Sequence, residues 1–139
     1  MPRLPRVTND TNVWLSALYF SGKPAQIIHL IEEQKIVSVT SSFILGELKE
    51  KMLFDFNTPS YAANATITYI TSISELASLR GIDFGLRDPS DNKVLETAIG
   101  GNCKWLITGD KDLLIMKKYE NTQIVTPAQF LTKYKQLGS

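Results

Sequence analysis

The chain has 139 residues and a mass of 15.6 kDa, a size that suits one domain with a single hydrophobic core. Hydrophobic residues make up 43% of it and charged residues 21%, which excludes intrinsic disorder, collagen-like repeats and disulfide-rich scaffolds. Fifteen basic residues against fourteen acidic ones leave a formal net charge of +1. A polyanionic partner must therefore be held by a local patch and not by a global positive field.

Cysteine content and apolar patterning indicate the compartment. The single cysteine, Cys103, cannot form an internal disulfide. No apolar stretch approaches the roughly 20 residues of a membrane span, and no segment has the pattern of a signal peptide. We therefore expect a cytoplasmic protein with no membrane partner, folded as one domain over residues 1–139, in which 137–139 form a flexible tail.

Short β-like segments alternate along the chain with longer helical ones, separated by glycines, prolines and helix-capping residues. The predicted strands cover 4–9, 36–39, 75–79, 104–108 and 123–125. The predicted helices cover 13–22, 24–33, 42–52, 61–73, 89–99 and 112–119, and a last one opens at Thr126-Pro127. This alternation is typical of a three-layer α/β/α sandwich around a central parallel sheet.

Two of the predicted strands are followed by an aspartate. Asp10 follows the first strand, and Asp110 follows the strand that contains Trp105 and Ile107. Ligands of open parallel sheets bind beyond the carboxyl ends of the strands, near the point where strand order reverses. Taken singly, each aspartate is explained equally well as a turn residue or a helix cap.

Two further acids change this interpretation when they are considered with the first pair. Glu47 lies within the helix after the second strand, where alone it indicates only pairing with Lys51. Asp91 lies in the first turn of a helix that Asp88 caps. If Glu47, Asp91 and the strand-end pair meet at one end of the sheet, their repulsion must be offset by a proton or a divalent cation. Oxygen ligands suit Mg²⁺ or Mn²⁺, so the combination favours metal-assisted phosphodiester hydrolysis.

The same residues lie in segments that resemble the PIN-domain ribonucleases, especially the VapC-like toxins of toxin–antitoxin pairs. The matching segments are Asp10-Thr11-Asn12-Val13, Glu47-Leu48, Arg87 to Leu95, Leu106 to Leu114 and Ile124-Val125-Thr126-Pro127. They span nearly the whole chain in the family's order, and only about 54–86 has no match. The chain departs from the family at Asn9, where an apolar residue usually precedes the aspartate.

The resemblance implies a metal-dependent ribonuclease and assigns its site. It implies that Asp10, Glu47, Asp91 and Asp110 are catalytic and bind Mg²⁺ or Mn²⁺, that Asp112 is a fifth metal-binding carboxylate, and that Asn12 and Thr108 orient these groups by hydrogen bonds. The partners that it implies are an RNA substrate, an inhibitory antitoxin protein and a second copy of the chain in a homodimer.

Competing interpretations differ in what they require of the sequence. A phosphatase of the haloacid-dehalogenase kind needs a second aspartate two residues after the first, where this chain has Asn12. A PIN-like module that binds RNA or protein with little turnover and no toxin role remains the alternative. Retention of all four acids favours the enzyme, because the loss of one would be the simplest sequence sign of an inactive descendant.

Overall fold

The computed structural model describes residues 3–137, which form six strands and seven helices. The strands are β1 (Arg6–Asn9), β2 (Val37–Thr40), β3 (Ser74–Leu76), β4 (Trp105–Ile107), β5 (Lys118–Tyr119) and β6 (Thr122–Val125). The helices are α1 (Thr11–Tyr19), α2 (Lys23–Glu32), α3 (Ser42–Phe54), α4 (Ser60–Ser72), α5 (Pro89–Gly100), α6 (Lys111–Leu114) and α7 (Pro127–Leu137).

One six-stranded sheet organises these elements in the order β3-β2-β1-β4-β6-β5. Every described pair is parallel except β5 with β6. The predicted α/β/α sandwich with a central parallel sheet is confirmed. Since β1 pairs with β2 on one side and with β4 on the other, the strand order reverses beside β1. The crevice beyond the carboxyl ends of β1 and β4 is therefore where a ligand is expected.

The core lies between the sheet and its helices. Trp14 and Trp105 are 1% and 2% exposed, so both belong to the core. Trp105 packs edge-on against the fully buried Phe130 of α7, with ring centroids 5.3 Å apart. This packing fixes β4, whose three residues are all buried, and thereby the position of the residues that follow it.

The predicted helix over 112–119 is wrong in its second half. Helix α6 ends at Leu114, and Lys117 then adopts a left-handed backbone with φ of 64°. The chain continues into β5, which pairs antiparallel with β6. Tyr119 also packs edge-on against Phe84, with ring centroids 5.2 Å apart. Pairing at the sheet edge and this aromatic contact outweigh the local helix preference of the segment.

Two predictions made from the sequence concern a tail over 137–139 and the lack of a membrane span. Leu137 is the last residue of α7 and so is helical, whereas positions 138 and 139 of the predicted tail lie outside the described residues. Among the helices of residues 3–137, none combines the length and the apolar character that a membrane span requires.

Candidate metal centre

The two strand-end aspartates are both helix caps and neighbours in space. The Asp10 amide donates to the carbonyl of Ile107 at 3.0 Å, and the Asp10 carboxylate accepts from the Val13 amide at 2.9 Å, which caps α1. Asp110 caps α6, accepting from the Asp112 amide at 2.8 Å. The cap interpretation and the site interpretation are thus compatible, because capping fixes where each carboxylate lies.

Thr108 links these two aspartates. Its hydroxyl donates to Oδ2 of Asp10 and accepts from the Asp110 amide at 3.0 Å. Thr108 is fully buried, so the linkage is shielded from water. It therefore holds Asp10 in one orientation, as expected for a residue that positions a metal ligand.

All four acids singled out in the sequence line one cavity of about 100 Å³: Asp10, Glu47, Asp91 and Asp110. Asp88, the N-cap of α5, lines it as well. The chain brings these groups together because α1 and α6 are the helices that follow β1 and β4, while α3 and α5 approach the same end of the sheet.

The closest group of carboxylates consists of Asp91, Asp110 and Asp112. Each offers an oxygen atom, and the three oxygens lie within 4.8 Å of one another. Asp91 is 6% exposed, and its Oδ2 is buried without a hydrogen-bond partner among residues 3–137. Burial, followed by the charges of Asp110 and Asp88, raises the pKa of Asp91 to about 7.

Burial and neighbouring charges also disfavour the ionised form of Asp10. Burial is the main cause that raises the pKa of its carboxyl group, and the Thr108 and Val13 hydrogen bonds act against that effect. The charges of Asp110 and Glu47 raise this pKa further. Repulsion from neighbouring carboxylates therefore acts on both Asp10 and Asp91 at this end of the sheet.

A divalent cation fits this donor set. The available atoms are carboxylate oxygens, which Mg²⁺ and Mn²⁺ prefer, and the unpartnered Oδ2 of Asp91 is an oxygen that the folded protein does not satisfy by itself. The residues that would hold the cation are Asp91 and Asp110, with Asp10, Glu47 and Asp112 around them.

Two of the expected supporting residues make different contacts from those implied by the resemblance. The amide oxygen of Asn12 accepts from Lys51 at 3.2 Å and does not bind a carboxylate. Its neighbour Thr11 makes the carboxylate contact instead, donating to Oε1 of Glu47 at 2.5 Å. Asp112, the expected fifth carboxylate, also pairs with the exposed guanidinium of Arg87, whose Nη2 lies 2.8 Å from Oδ2.

Helix α5 carries a second buried carboxylate, that of Glu96, which the sequence analysis did not predict. Glu96 is 4% exposed and accepts hydrogen bonds from the amides of Arg80, Gly81 and Ile82 at 2.5, 3.0 and 3.0 Å. Burial acts to raise the pKa of Glu96, but the three backbone donors outweigh it and hold that pKa below its usual value. Glu96 thereby fixes the segment that leads into α5, and no local pattern in the sequence marks it as buried.

Comparison with known proteins places this α/β domain with its acidic cleft among the PIN domains. A family model described as the PIN domain matches residues 6–112, and the chain belongs to that family. PIN domains generally have metal-dependent nuclease activity. The resemblance noted in the sequence is therefore confirmed at the level of the family.

Two individual proteins are similar over nearly the whole chain. Uncharacterized protein MJ1680 of Methanocaldococcus jannaschii is 32% identical, over 96% of this chain and 94% of its own length. The PIN domain of RRP44 from T. brucei matches with a TM-score of 0.54 and 15% identity, over 99% of this chain and 84% of that one. At that identity the second likeness concerns the fold alone.

Proposed function

We propose that this chain is a Mg²⁺- or Mn²⁺-dependent endoribonuclease that hydrolyses RNA phosphodiester bonds. Two observations carry the proposal: Oδ2 of Asp91 is buried without a partner among residues 3–137, and a carboxylate oxygen of Asp91 lies within 4.8 Å of oxygens of Asp110 and Asp112. Such an oxygen is costly for the fold unless a ligand completes it. Membership of the PIN domain family supports the same chemistry.

The roles of the residues follow from their contacts. A bound divalent cation would lower the pKa of a water molecule and neutralise charge on the phosphate. Asp10, fixed by Thr108 and by the cap of α1, supplies an oxygen ligand in a set orientation. Glu47, held by Thr11 from a neighbouring helix, is the carboxylate that we assign to take the proton of the attacking water.

Cleavage by purified protein tests this function. We expect a single-stranded RNA to be cut with Mg²⁺ or Mn²⁺ but not in excess EDTA. Asp91→Asn and Asp110→Asn should each lose at least about 100-fold in rate, because a charged ligand is removed from the metal. Asp55→Asn, which changes an exposed aspartate at the end of α3, is the matched control and should cleave like wild type.

The outcome also separates the enzyme from a binding module. RNA that binds but is not cut with either metal would favour the non-enzymatic alternative. Undiminished cleavage in EDTA, or by both site variants, would show that the proposed residues do not carry the activity.

We further propose that the protein is a toxin restrained by a small antitoxin. An arginine side chain of such a partner can replace the charge of the cation and donate to two carboxylates at once. Near the ends of α1 and α3, Phe20 and Phe54 are 64% and 77% exposed, and Tyr61 at the start of α4 is 79% exposed. These aromatic side chains support burial of an amphipathic segment of the partner.

Expression in a host, alone and together with any small reading frame that lies beside the gene, tests the toxin role. Growth should stop with the protein alone and recover with its partner, and Phe20→Ser with Phe54→Ser should weaken the complex more than Ile115→Ser, which alters a side chain that is 80% exposed elsewhere. Harmless expression of an active nuclease would contradict the toxin role. Light scattering of the free protein tests the proposed homodimer.

A further inference from the structure

A cluster of basic residues lies at the opposite end of the sheet from the carboxylates. A cavity of about 960 Å³ there is lined by ten residues, five of which are basic: Arg3, Arg6, Lys35, Lys104 and Lys135. None of the ten is acidic, although the chain as a whole has nearly equal numbers of basic and acidic residues. The near-neutral net charge thus conceals a strong separation of charge.

The topology explains why these residues meet. Arg6 begins β1, Lys35 lies two residues before β2 and Lys104 immediately precedes β4. Parallel strands all start at one edge of a sheet, so the basic residues at the starts of β1, β2 and β4 lie close together. The acidic residues that follow β1 and β4 meet in the same way at the opposite edge. Four residue steps at about 3.3 Å each place the backbone of Arg6 roughly 13 Å from that of Asp10, and the two cavities share no lining residue. The cavity is therefore not part of the acidic cleft.

Several of these cations are held in place by the fold. The Arg6 Nε donates to the carbonyl of Gly101 at 2.8 Å, and its guanidinium pairs with Glu75 at 2.8 Å. The Lys104 ammonium lies 4.6 Å from the centre of the Trp105 ring. Lys35 lies 3.7 Å from a carboxylate oxygen of Glu33, a distance typical of a weak surface pair. Glu75 and Glu33 pair with two of these cations from outside the cavity, and no carboxylate of the described residues lines the cavity itself, so an anion inside it is attracted.

The other residues that line the cavity indicate that its ligand also has an apolar or aromatic part. Leu4, Pro5 and Leu137 contribute apolar surface, and Tyr134 contributes an aromatic ring stacked on Phe130 with centroids 6.0 Å apart. Multiple cations match a ligand with more than one negative charge, and Arg and Lys are the residues that commonly bind phosphate. Apolar and aromatic walls match a body such as a nucleoside.

We infer that this cavity, lined by Arg3, Arg6, Lys35, Lys104 and Lys135, is a second binding site that takes a phosphate-bearing nucleotide unit, either free or within an RNA strand. The site goes beyond the proposed nuclease function and does not depend on it. A free nucleotide would occupy it as a separate ligand, whereas an RNA strand would reach it from the cleft around the edge of the sheet.

Binding in excess EDTA tests the inference without any contribution from metal at the carboxylates. The probes are ADP and a short oligouridylate, followed by NMR chemical shifts and fluorescence anisotropy. The cavity variant is Lys35→Gln with Lys104→Gln. The matched control, Lys23→Gln with Lys118→Gln, removes the same charge from two exposed lysines outside the cavity. Lys35→Arg with Lys104→Arg keeps the charge, and thermal melting verifies that each variant folds.

We expect the cavity variant to bind at least about tenfold more weakly, the control to bind like wild type and the arginine variant to retain binding. ADP binding that is lost in the cavity variant supports a free nucleotide as the ligand. Oligouridylate binding that is lost while ADP does not bind supports an RNA strand, with a salt dependence reduced by about 0.7 per lost phosphate contact. Binding of neither probe at millimolar concentration, or equal weakening in cavity and control variants, would overturn the inference.

Discussion

Two buried carboxylates on helix α5 differ in what surrounds them. Asp91 and Glu96 are 6% and 4% exposed, yet the pKa of Asp91 rises to about 7, whereas that of Glu96 falls below its usual value. Glu96 accepts three backbone hydrogen bonds, and Asp91 has an oxygen with no partner among the described residues. Burial alone therefore does not decide the charge of a carboxylate; the donors around it do. Glu96 stabilises the fold, and Asp91 remains available to a cation.

Removing the charge of Glu96 should have the largest effect on stability. Glu96→Gln weakens three hydrogen bonds to a buried carboxylate, so we expect it to lower the free energy of unfolding at pH 7 by at least about 2 kcal/mol. Urea unfolding measures the change, with Glu50→Gln on the exposed surface of α3 as the control. A Glu96→Gln variant within about 0.5 kcal/mol of wild type would show that the carboxylate is not an anchor.

The pH dependence of this effect has a definite sign. Because the folded pKa of Glu96 is lowered, its stabilising contribution is present above the ordinary glutamate pKa and is lost as pH falls through the folded value. The difference between wild type and Glu96→Gln should therefore shrink in acid.

Asp91 should behave in the opposite way in metal-free protein. Its folded pKa of about 7 lies above the ordinary 3.8, so the native state keeps a proton that the unfolded chain releases between these values. Wild type should lose stability relative to Asp91→Asn as pH rises through that window. At pH 8 in EDTA we expect the variant to be more stable by about 1–2 kcal/mol, after allowance for screening by water in the cleft.

Thermal melts across this pH range, with and without Mg²⁺, measure the effect. The two proteins should melt alike near pH 4. Mg²⁺ should stabilise wild type by mass action and the variant less. A variant that is less stable than metal-free wild type at pH 8 would mean that Asp91 is a structural residue like Glu96.

Two buried threonine hydroxyls also differ in whether they have a hydrogen-bond partner, and the expected effect on stability is smaller. The hydroxyls of Thr40 and Thr8 are both fully buried, but within residues 3–137 only that of Thr8 has a partner, the thiol of Cys103 at 3.3 Å. We expect the nearly isosteric Thr40→Val to raise the free energy of unfolding by about 1 kcal/mol and Thr8→Val to leave it unchanged or lower it. Urea midpoints compare the two, and an equal response would contradict the assignment of an unsatisfied hydroxyl at Thr40.

The parts of the molecule that the sequence predicts well are those determined locally. The strand-end position of Asp10 and Asp110 follows from short apolar runs, and the cap at Asp88 follows from the proline after it, with the Ser90 amide 2.9 Å from the carboxylate. Parallel pairing then brings such residues to one edge. Where pairing across the sheet decides the structure, as in β5, local preference gives the wrong element.

Other features depend on contacts between distant segments and had no local signal. Glu96 receives its hydrogen bonds from residues 14 to 16 positions earlier, in a segment without periodic apolar residues. Thr11 reaches Glu47 only because α1 packs on α3. Asn9, which the family resemblance marked as unusual, is fully buried with neither amide atom partnered among residues 3–137. The sequence shows that an asparagine stands at this position, but it does not show that the side chain is buried without hydrogen-bond partners.

In the proposed metal centre, a divalent cation binds the carboxylate oxygen of Asp91 that has no hydrogen-bond partner among the described residues. A ¹³C NMR titration of its carboxyl group, assigned by comparison with Asp91→Asn, tests this most directly. In EDTA the pKa of Asp91 should be about 7, and saturating Mg²⁺ should lower it by at least about one unit, because a cation stabilises the ionised form. A midpoint near the ordinary aspartate pKa of 3.8 that Mg²⁺ does not move would contradict the account.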